Sequence, residues 1–151
     1  MADPEDYVYT LDLEVRDYEC DMESIVNNAV YLNYLEHARH EFLKMVGVDF
    51  GKLTERGIHP VVVRAEVDYR NSLRSGDRFW IGVNVERVSM LRIAFVQDIY
   101  RTSNTGDSET GHNVRDDVVA QARIITAVIS ASGRPVPPEE LDPRFAELIR
   151  K

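Results

Sequence analysis

The chain has little of what marks a disulfide-stabilised or membrane-spanning protein. Cys20 is its single cysteine, which excludes an internal disulfide and a cysteine-rich metal site. No apolar run approaches the ~20 residues that a membrane-spanning helix needs. The first ten residues, MADPEDYVYT, carry acids where a signal peptide has basic residues before an apolar run. These absences predict a cytoplasmic protein that does not bind a membrane.

Basic residues are also scarce. The chain has 18 lysines and arginines against 26 aspartates and glutamates, a formal net charge of −8. No basic stripe is visible that would neutralise the phosphates of DNA or RNA, so nucleic acid is not the expected partner. An anionic small ligand stays possible, because it needs only a local cluster of arginines.

The composition that remains is typical of a folded globular protein. Of the 151 residues 44% are hydrophobic and 29% are charged, which is ordinary for a soluble domain. We find no internal repeat, low-complexity tract or linker. The chain is therefore predicted to form one domain over residues 1–151.

Hydrophobic periodicity predicts a strand followed by a long helix. Residues 7–16 alternate, with Tyr7, Tyr9, Leu11, Leu13 and Val15 on one face. From about Asn28 to Val46 the period changes to steps of three and four. The apolar positions of that helix are Tyr31, Leu35, Ala38, Phe42 and Met45. Gly47 then follows as the residue that ends the helix.

Four strand-like segments come after a brief helix near residues 50–56. They are VVVRAEVDY, in which Val61, Val63, Ala65, Val67 and Tyr69 share a face, then RFWIGVNVERV, LRIAFVQDIYR and DDVVAQARIITAVIS. A polar hairpin tip, TSNTGDSETGHN, separates the last two, and a helix is predicted at about 138–149. This order predicts an α+β protein with one long helix packed on a five-stranded antiparallel sheet. One helix cannot cover both faces of the sheet, so self-association is expected.

Asp21 is the residue whose position needs an explanation. It lies in a short turn, six and seven residues before Asn27 and Asn28 at the start of the long helix. One interpretation is structural, with Asp21 in the turn and an asparagine as the N-cap. The other is catalytic, because the first N–H groups of a helix are unpaired and carry partial positive charge. Those groups suit the oxyanion formed when a carboxylate, or a water that it activates, attacks a carbonyl carbon.

The stretch VRDYECDMESIVNNAVYLNYLEHARHEFL carries a family resemblance. It resembles the N-terminal signature of hotdog-fold acyl-thioester hydrolases of the 4-hydroxybenzoyl-CoA thioesterase-like branch, and is especially similar to single-hotdog acyl-carrier-protein thioesterases. The pattern D-x-x-G-x-V-x-x-x-x-Y…E-x-A-R appears as Asp21, Val26, Tyr31, Glu36, Ala38 and Arg39. LRSGD and GRPVPPEE, later in the chain, fit the same family more weakly.

The resemblance implies a fold, an activity and a site. The fold is a hotdog, with a long central helix wrapped by the sheet, assembled as a homodimer or homotetramer. The activity is hydrolysis of an acyl-CoA or acyl-carrier-protein thioester without a cofactor. Asp21 is implied as nucleophile or general base and the N–H of Asn28 as the oxyanion donor, with Asn27 beside it and Tyr31 in the substrate site. A non-catalytic acyl-CoA-binding module is the alternative, although such a module has no need of Asp21.

One position departs from the family pattern. Ser24 stands where the family usually has glycine. If the turn requires a positive φ at this position, serine costs about 1 kcal/mol; if it does not, the change is harmless.

Arg39 is the unexpected residue of the helix, since its position falls within the apolar arc. It is either a structural residue with a buried partner, expected to be a carboxylate, or a residue that lines the thioester site. Arg70, Arg74 and Arg92, together with Arg134, are candidates to bind the phosphates of coenzyme A.

No metal site is predicted. His37 and His40 lie on the polar face of the helix without a third ligand at a suitable spacing, so we assign them no metal.

Overall fold

The computed structural model describes residues 3–102 and 117–150. Within these ranges the strands are β1 (Tyr9–Glu14), β2 (His59–Tyr69), β3 (Arg78–Arg87), β4 (Arg92–Arg101), β5 (Asp117–Ile129), β6 (Pro135–Val136) and β7 (Ile149–Arg150). The helices are α1 (Asn28–Val46), α2 (Phe50–Glu55) and α3 (Pro143–Ala146), so the predicted brief helix near 50–56 is confirmed as α2. The predicted hairpin tip falls almost entirely outside the described residues.

The strands form one sheet. Its main path runs in the order β1-β3-β4-β5-β2 with antiparallel pairing throughout, while β6 pairs with β5 and β7 runs parallel to β3. The long helix α1 lies on one face of the sheet, and residues of the helix and of the sheet form a single hydrophobic core. The prediction of an α+β fold with one long helix on an antiparallel sheet is confirmed. The strand β2 is an edge of the sheet, and its first residues line a cavity described below.

The predicted bounds of α1 are also confirmed. Asn27 is the N-cap, and its Oδ1 accepts a hydrogen bond of 3.0 Å from the N–H of Ala29. Gly47 ends the helix with a left-handed φ of 108°. Met45, predicted to face the core, is 55% exposed, whereas Val46 is buried. The reason is the helical phase, because the step of four from Phe42 keeps Val46 on the inner face.

The predicted alternation in β2 is wrong at its beginning. The pairing with β5 shifts between Val62 and Arg64, so the strand contains a bulge at Val63. As a result Val62 pairs with Thr126 on the helix side of the sheet, whereas Val61 pairs with Ala127 on the opposite side. A simple period of two cannot reveal such a bulge, because the extra residue reverses the phase within the strand.

The first strand also starts later than predicted, and Tyr7 does not share a face with Tyr9. The ring of Tyr9 packs near Phe42 of α1, at 5.7 Å between centroids. The ring of Tyr7 lies on the other side of the sheet, over Gly82, where an added Cβ would meet it at 2.5 Å. A 3-10 turn at Pro4–Asp6 precedes Tyr7 and sets this change of direction.

The C-terminal segment is not the single helix predicted for residues 138–149. It consists of a 3-10 turn at Pro138–Glu140, the four-residue helix α3, and β7 beside β3. The cause is Pro143, which lacks an N–H and disfavours helical geometry at the preceding residue. Asp142 accordingly has an extended backbone, with φ −172° and ψ 139°, and caps α3 instead of continuing a longer helix.

Candidate active site

The turn that carries Asp21 is closed by backbone hydrogen bonds. The N–H of Asp21 donates to the carbonyl of Ile25 at 2.8 Å, and the N–H of Asn27 donates to that of Glu19 at 3.2 Å. Cys20 and Val26 form an isolated antiparallel bridge across the same loop. The loop therefore returns the chain to its starting point. Asp21 and the first residue of α1 both lie within two residues of its closing bonds.

The carboxylate of Asp21 is held by one oxygen and open at the other. Its Oδ1 accepts a hydrogen bond of 2.8 Å from the N–H of Glu23, two residues on. The second oxygen accepts no hydrogen bond from the described residues, and the side chain is exposed. This is an Asx turn that fixes the direction of the side chain. It leaves an oxygen free to accept a proton or to attack a carbon.

The turn needs a left-handed residue, and Ser24 supplies it. Ser24 has a φ of 65°, the only positive φ among the described residues other than glycine. Its N–H donates to the carbonyl of Asp21 at 3.0 Å, which helps to close the turn. The first alternative given for this position is therefore the correct one, and serine occupies a strained conformation that glycine adopts freely.

The start of α1 offers a free backbone donor. The side chain of Asn27 satisfies the N–H of Ala29, as described above, but no described residue accepts a hydrogen bond from the N–H of Asn28. Both asparagine side chains are exposed. The carbonyl of Asn28 accepts a long hydrogen bond of 3.4 Å from the hydroxyl of Tyr69, which ties the end of β2 to the helix start.

Tyr31 has a structural contact in this chain. It is buried, and its hydroxyl accepts a hydrogen bond of 2.9 Å from the N–H of Leu73. Leu73 also accepts one from the N–H of Val26, and Arg74 forms a bridge with Ile25. Tyr31 thus holds the turn before β3 against the Asp21 turn. Its assignment to substrate binding stays a prediction.

Glu19 is a residue of the site that the sequence alone did not single out. Its side chain is only 7% exposed and accepts hydrogen bonds from the N–H and the guanidinium of Arg16 and from the hydroxyl of Tyr34. Burial alone would raise the pKa of this carboxyl. The hydrogen bonds from Arg16 and Tyr34 outweigh burial and hold the pKa below its usual value. The ionised side chain thereby fixes the chain two residues before Asp21.

Arg39 has a neutral partner and not the expected carboxylate. Its Nη1 donates a hydrogen bond of 2.9 Å to Oε1 of Gln97 on β4, and it forms no ion pair with a described residue. Gln97 is completely buried and donates in turn to the carbonyl of Leu35 at 2.9 Å. Burial lowers the pKa of the guanidinium, and the neighbouring Glu36 carboxylate partly offsets this.

A cavity of about 220 Å³ opens between α1, α2 and the edge of the sheet. Phe50, Pro60, Val62 and Phe95 form most of its apolar wall together with Leu43, and its polar lining consists of Glu36, Arg39, His40 and Thr126. The His40 ring stacks on Phe50 at 4.3 Å between centroids, so this histidine is part of the wall. In one chain the cavity is remote from Asn28, since Glu36, the lining residue of α1 nearest to it, follows eight positions later, ~12 Å along the axis.

The predicted phosphate-binding arginines do not form one cluster in the chain. Arg70 and Arg74 are exposed at the end of the sheet where α1 starts. Arg92 begins β4 at the opposite end, and Arg134 lies in the turn that follows β5. The length of β4 alone puts ~30 Å between the two ends. Only Arg70 and Arg74 lie near Asp21 within one chain, and all four assignments stay predictions.

The described residues contain no group of three histidine, cysteine or acidic side chains placed to hold a metal ion. Within the same residues no helix is both long and apolar enough to cross a membrane.

Comparison with known proteins places these features in a family. Residues 15–147 match the thioesterase-like superfamily. The chain is 30% identical over 144 residues to the chloroplastic acyl-acyl carrier protein thioesterase ATL3 of Arabidopsis thaliana, covering 95% of this chain and 70% of that protein. It is 36% identical over 96 residues to the related ATL2, covering 64% of this chain and 51%, about half, of that protein's length.

A solved structure shows the same fold. The fold matches that of YbaW, a probable thioesterase from Escherichia coli, with a TM-score of 0.72 and 26% identity over 93% of this chain and 98% of that one. The sequence match and the shared arrangement of helix and sheet lead to one conclusion. The chain belongs to the thioesterase-like superfamily and has its hotdog fold.

Proposed function

We propose that the protein hydrolyses acyl thioesters at the junction of the Asp21 turn and the start of α1. The observation that carries this proposal is the position of two groups on the two sides of one closed loop, the anchored carboxylate of Asp21 and the N–H of Asn28. Among the described residues, one carboxylate oxygen and this N–H have no hydrogen-bond partner. The names of the relatives support the choice of a thioester as substrate. A thioester has a good leaving group, so a carboxylate and an oxyanion donor suffice.

Two forms of the reaction fit the site. As general base, Asp21 takes a proton from water, and the oxygen of that water bonds to the thioester carbon. As nucleophile, the carboxylate itself bonds to that carbon. In both forms the carbonyl oxygen becomes negative and is stabilised by the N–H of Asn28. The carbon–sulfur bond then breaks and the thiolate takes up a proton. The nucleophilic route leaves an acyl anhydride on Asp21, which water hydrolyses.

The substrate is proposed to be an acyl-CoA or an acyl-carrier-protein thioester. Arg70 and Arg74 lie near the helix start, where they suit the phosphate of the pantetheine arm that both carriers share. Arg92 and Arg134 would serve only if a second chain brought them to this end. A cytoplasmic location stays a prediction. The two Arabidopsis relatives are named as chloroplastic.

A homodimer is proposed as the working form. Strand β2 is an eleven-residue edge, and its residues are mostly exposed. An edge of this length readily pairs with another strand. Two-fold antiparallel pairing of β2 with its copy would place the start of β2 beside the end of the partner strand. Because Tyr69 contacts the helix start, this pairing would bring the partner's Asn28 towards the cavity at Pro60 and Val62.

The proposal is tested by a hydrolysis panel of acyl-CoA and acyl-carrier-protein thioesters with detection of the free thiol. The first prediction is that Asp21→Asn keeps the fold and lowers kcat for the best substrate by about a hundredfold or more. Glu23→Gln, two residues away, is the matched control and should retain activity, because Glu23 contributes its backbone N–H and not its carboxylate to the turn. Near wild-type turnover by Asp21→Asn would show that Asp21 has only a structural role in the turn. It would favour the alternative of a non-catalytic acyl-CoA-binding module.

A further inference from the structure

Glu19 is attached to α1 at two places. Its backbone carbonyl accepts a hydrogen bond of 3.2 Å from the N–H of Asn27, the N-cap of the helix. Its side-chain Oε1 accepts one of 2.9 Å from the hydroxyl of Tyr34. Tyr34 follows Asn27 by seven residues, so the two contacts are separated by ~10 Å along the helix axis. The residue two positions before Asp21 is therefore bonded both to the start and to the second turn of α1.

Packing alone does not explain the hydroxyl of Tyr34. The side chain is 5% exposed, and its ring packs against Phe79 at 4.7 Å and against Tyr31 at 6.1 Å between centroids. A phenylalanine ring would keep both contacts. Burial of the Glu19 carboxylate is costly in itself, and buried polar pairs are often no more stabilising than apolar side chains of the same volume. Stability alone therefore gives no reason for this polar pair, whereas a fixed orientation of the loop does.

The two groups of the proposed chemistry depend on that orientation. Asp21 lies in the loop, whereas the N–H of Asn28 belongs to the helix, so their relative position is set by how the loop is attached to α1. At the Glu19 end of the loop, the backbone bond to Asn27 alone would leave a hinge. The side-chain bond to Tyr34 adds a second attachment and restricts rotation about the first. This restriction matters for rate, because misplacement of a catalytic group by about 1 Å can slow a reaction about a hundredfold.

We propose that Glu19 and Tyr34 are positioning residues for thioester hydrolysis. Their hydrogen bond holds the Asp21 carboxylate at the distance from the N–H of Asn28 that attack on a thioester carbonyl requires. Both side chains are buried and act through the loop, without contact to the substrate. This inference rests on the proposed function and names the contact on which the geometry of its site depends. Loss of such a contact lowers kcat and leaves substrate binding nearly intact.

Tyr34→Phe tests the inference with the least disturbance, because it removes one oxygen atom and keeps the ring. At a temperature where circular dichroism shows a folded protein, kcat for the best thioester should fall about tenfold or more, while KM stays within about twofold. A wild-type kcat in this variant would overturn the inference.

Tyr7→Phe is the matched control. The hydroxyl of Tyr7 also donates to a carboxylate, Oδ2 of Asp98 at 2.6 Å, on the side of the sheet away from α1. The variant loses the same kind of bond at a distance from Asp21, so its kcat should be unchanged. A fall in kcat as large as that of Tyr34→Phe would show a general effect of destabilisation and would also overturn the inference.

Substitutions of Glu19 provide the conservative comparison. Glu19→Gln keeps an oxygen that accepts from Tyr34, whereas Glu19→Ala removes every acceptor of the side chain. Turnover should therefore be lower in Glu19→Ala than in Glu19→Gln by about fivefold or more, the scale of one hydrogen bond. Equal kcat in the two folded variants would contradict a role through this acceptor. If Glu19→Ala does not fold, Tyr34→Phe decides.

Amide hydrogen exchange gives a readout that needs no turnover. The N–H groups of Asp21 and Asn27 close the loop, and they should exchange about tenfold faster in Tyr34→Phe than in the wild type or in Tyr7→Phe. Faster exchange, with no hydrolysis by the wild type, would reject the proposed function and retain Glu19 and Tyr34 as the residues that order the loop. Equal rates of hydrolysis by all three proteins, with unchanged exchange, would reject the inference and leave thioester hydrolysis standing.

Discussion

Ser24 shows how one residue can store strain beside a candidate catalytic group. Its positive φ closes the turn behind Asp21, and its Cβ makes that conformation costly. The consequence is a protein that holds its carboxylate in place at some expense of stability.

We predict that Ser24→Gly raises the unfolding free energy by about 1 kcal/mol, which corresponds to ~2–4 °C in melting temperature for a chain of this size. Glycine adopts the left-handed region without the steric cost that serine has there. Thermal unfolding followed by circular dichroism measures the change. Ser72→Gly is the control, since Ser72 is exposed and does not have a positive φ, and it should be neutral or destabilising. Equal effects of the two substitutions would show that the turn is not strained at Ser24.

Arg39 is the second residue whose role is decided by its contact. Its partner is the buried amide of Gln97, so removing the cation leaves a neutral acceptor unpaired and not a buried carboxylate. The expected cost is correspondingly lower than for a broken buried ion pair.

Arg39→Met should lower the unfolding free energy by about 1–3 kcal/mol, because Oε1 of Gln97 loses its donor. The double variant Arg39→Met with Gln97→Met should recover part of this loss, since both members of the pair are then apolar. Denaturant unfolding of the single and double variants measures the coupling. If Arg39→Met unfolds like the wild type while kcat/KM collapses, Arg39 acts on the substrate and not on the fold.

At the scale of elements, the loop from Glu19 to Asn27 links β1 to α1 and carries the candidate chemistry. Within the loop Val26 is buried in the core, and the position of the loop also depends on Glu19 at one end and on the Leu73 turn at the other. A buried carboxylate that accepts several hydrogen bonds is well suited to this task, because each bond to an ionised acceptor is stronger than a neutral one.

The depressed pKa of Glu19 gives a prediction for pH. Between the folded and the unfolded pKa the unfolded chain binds more protons, so stability rises with pH in this window. The contribution is complete above the unfolded value of about 4.3 and is lost as pH falls through the lower folded value. Glu19→Gln should therefore lower stability at neutral pH by about 1–3 kcal/mol and flatten the acid side of the stability curve. Denaturant midpoints measured from neutral to acidic pH test this. An unchanged acid slope in the variant would contradict the role of Glu19.

At the scale of the whole molecule, the edge strand β2 is left exposed and without a pairing strand on its outer side in a single described chain. An arginine and a glutamate near the middle of this strand are suited to pairing of the strand with its own copy. Arg64 and Glu66 lie on the same face and form an ion pair of 2.9 Å within the chain. In a two-fold antiparallel pairing centred near Ala65, each arginine would lie opposite the glutamate of the partner.

We predict a dimer, or a dimer of dimers, at micromolar concentration. Arg64→Glu should weaken association by about tenfold or more, because like charges would then face each other across the two-fold axis at two places. The charge swap Arg64→Glu with Glu66→Arg should restore it. Light scattering and sedimentation measure both. A wild-type monomer of 17.3 kDa, or equal effects of the single and the swapped variant, would contradict pairing through β2.

The sequence by itself determined the elements that depend on local chemistry. The bounds of α1 followed from Asn27 as cap, from the apolar spacing and from Gly47, because capping and periodicity act within a few residues. The family followed from the Asp21 motif, whose spacing is a property of one short segment.

Only the tertiary structure decided features that join distant parts of the chain. The bulge at Val63 is set by the register against β5, and the interior position of Glu19 by Tyr34, fifteen residues away. The partner of Arg39 is Gln97, 58 positions along the chain, and no local pattern shows that these two side chains meet. These contacts depend on which strand faces which helix, a choice made by packing in three dimensions and not by any local preference.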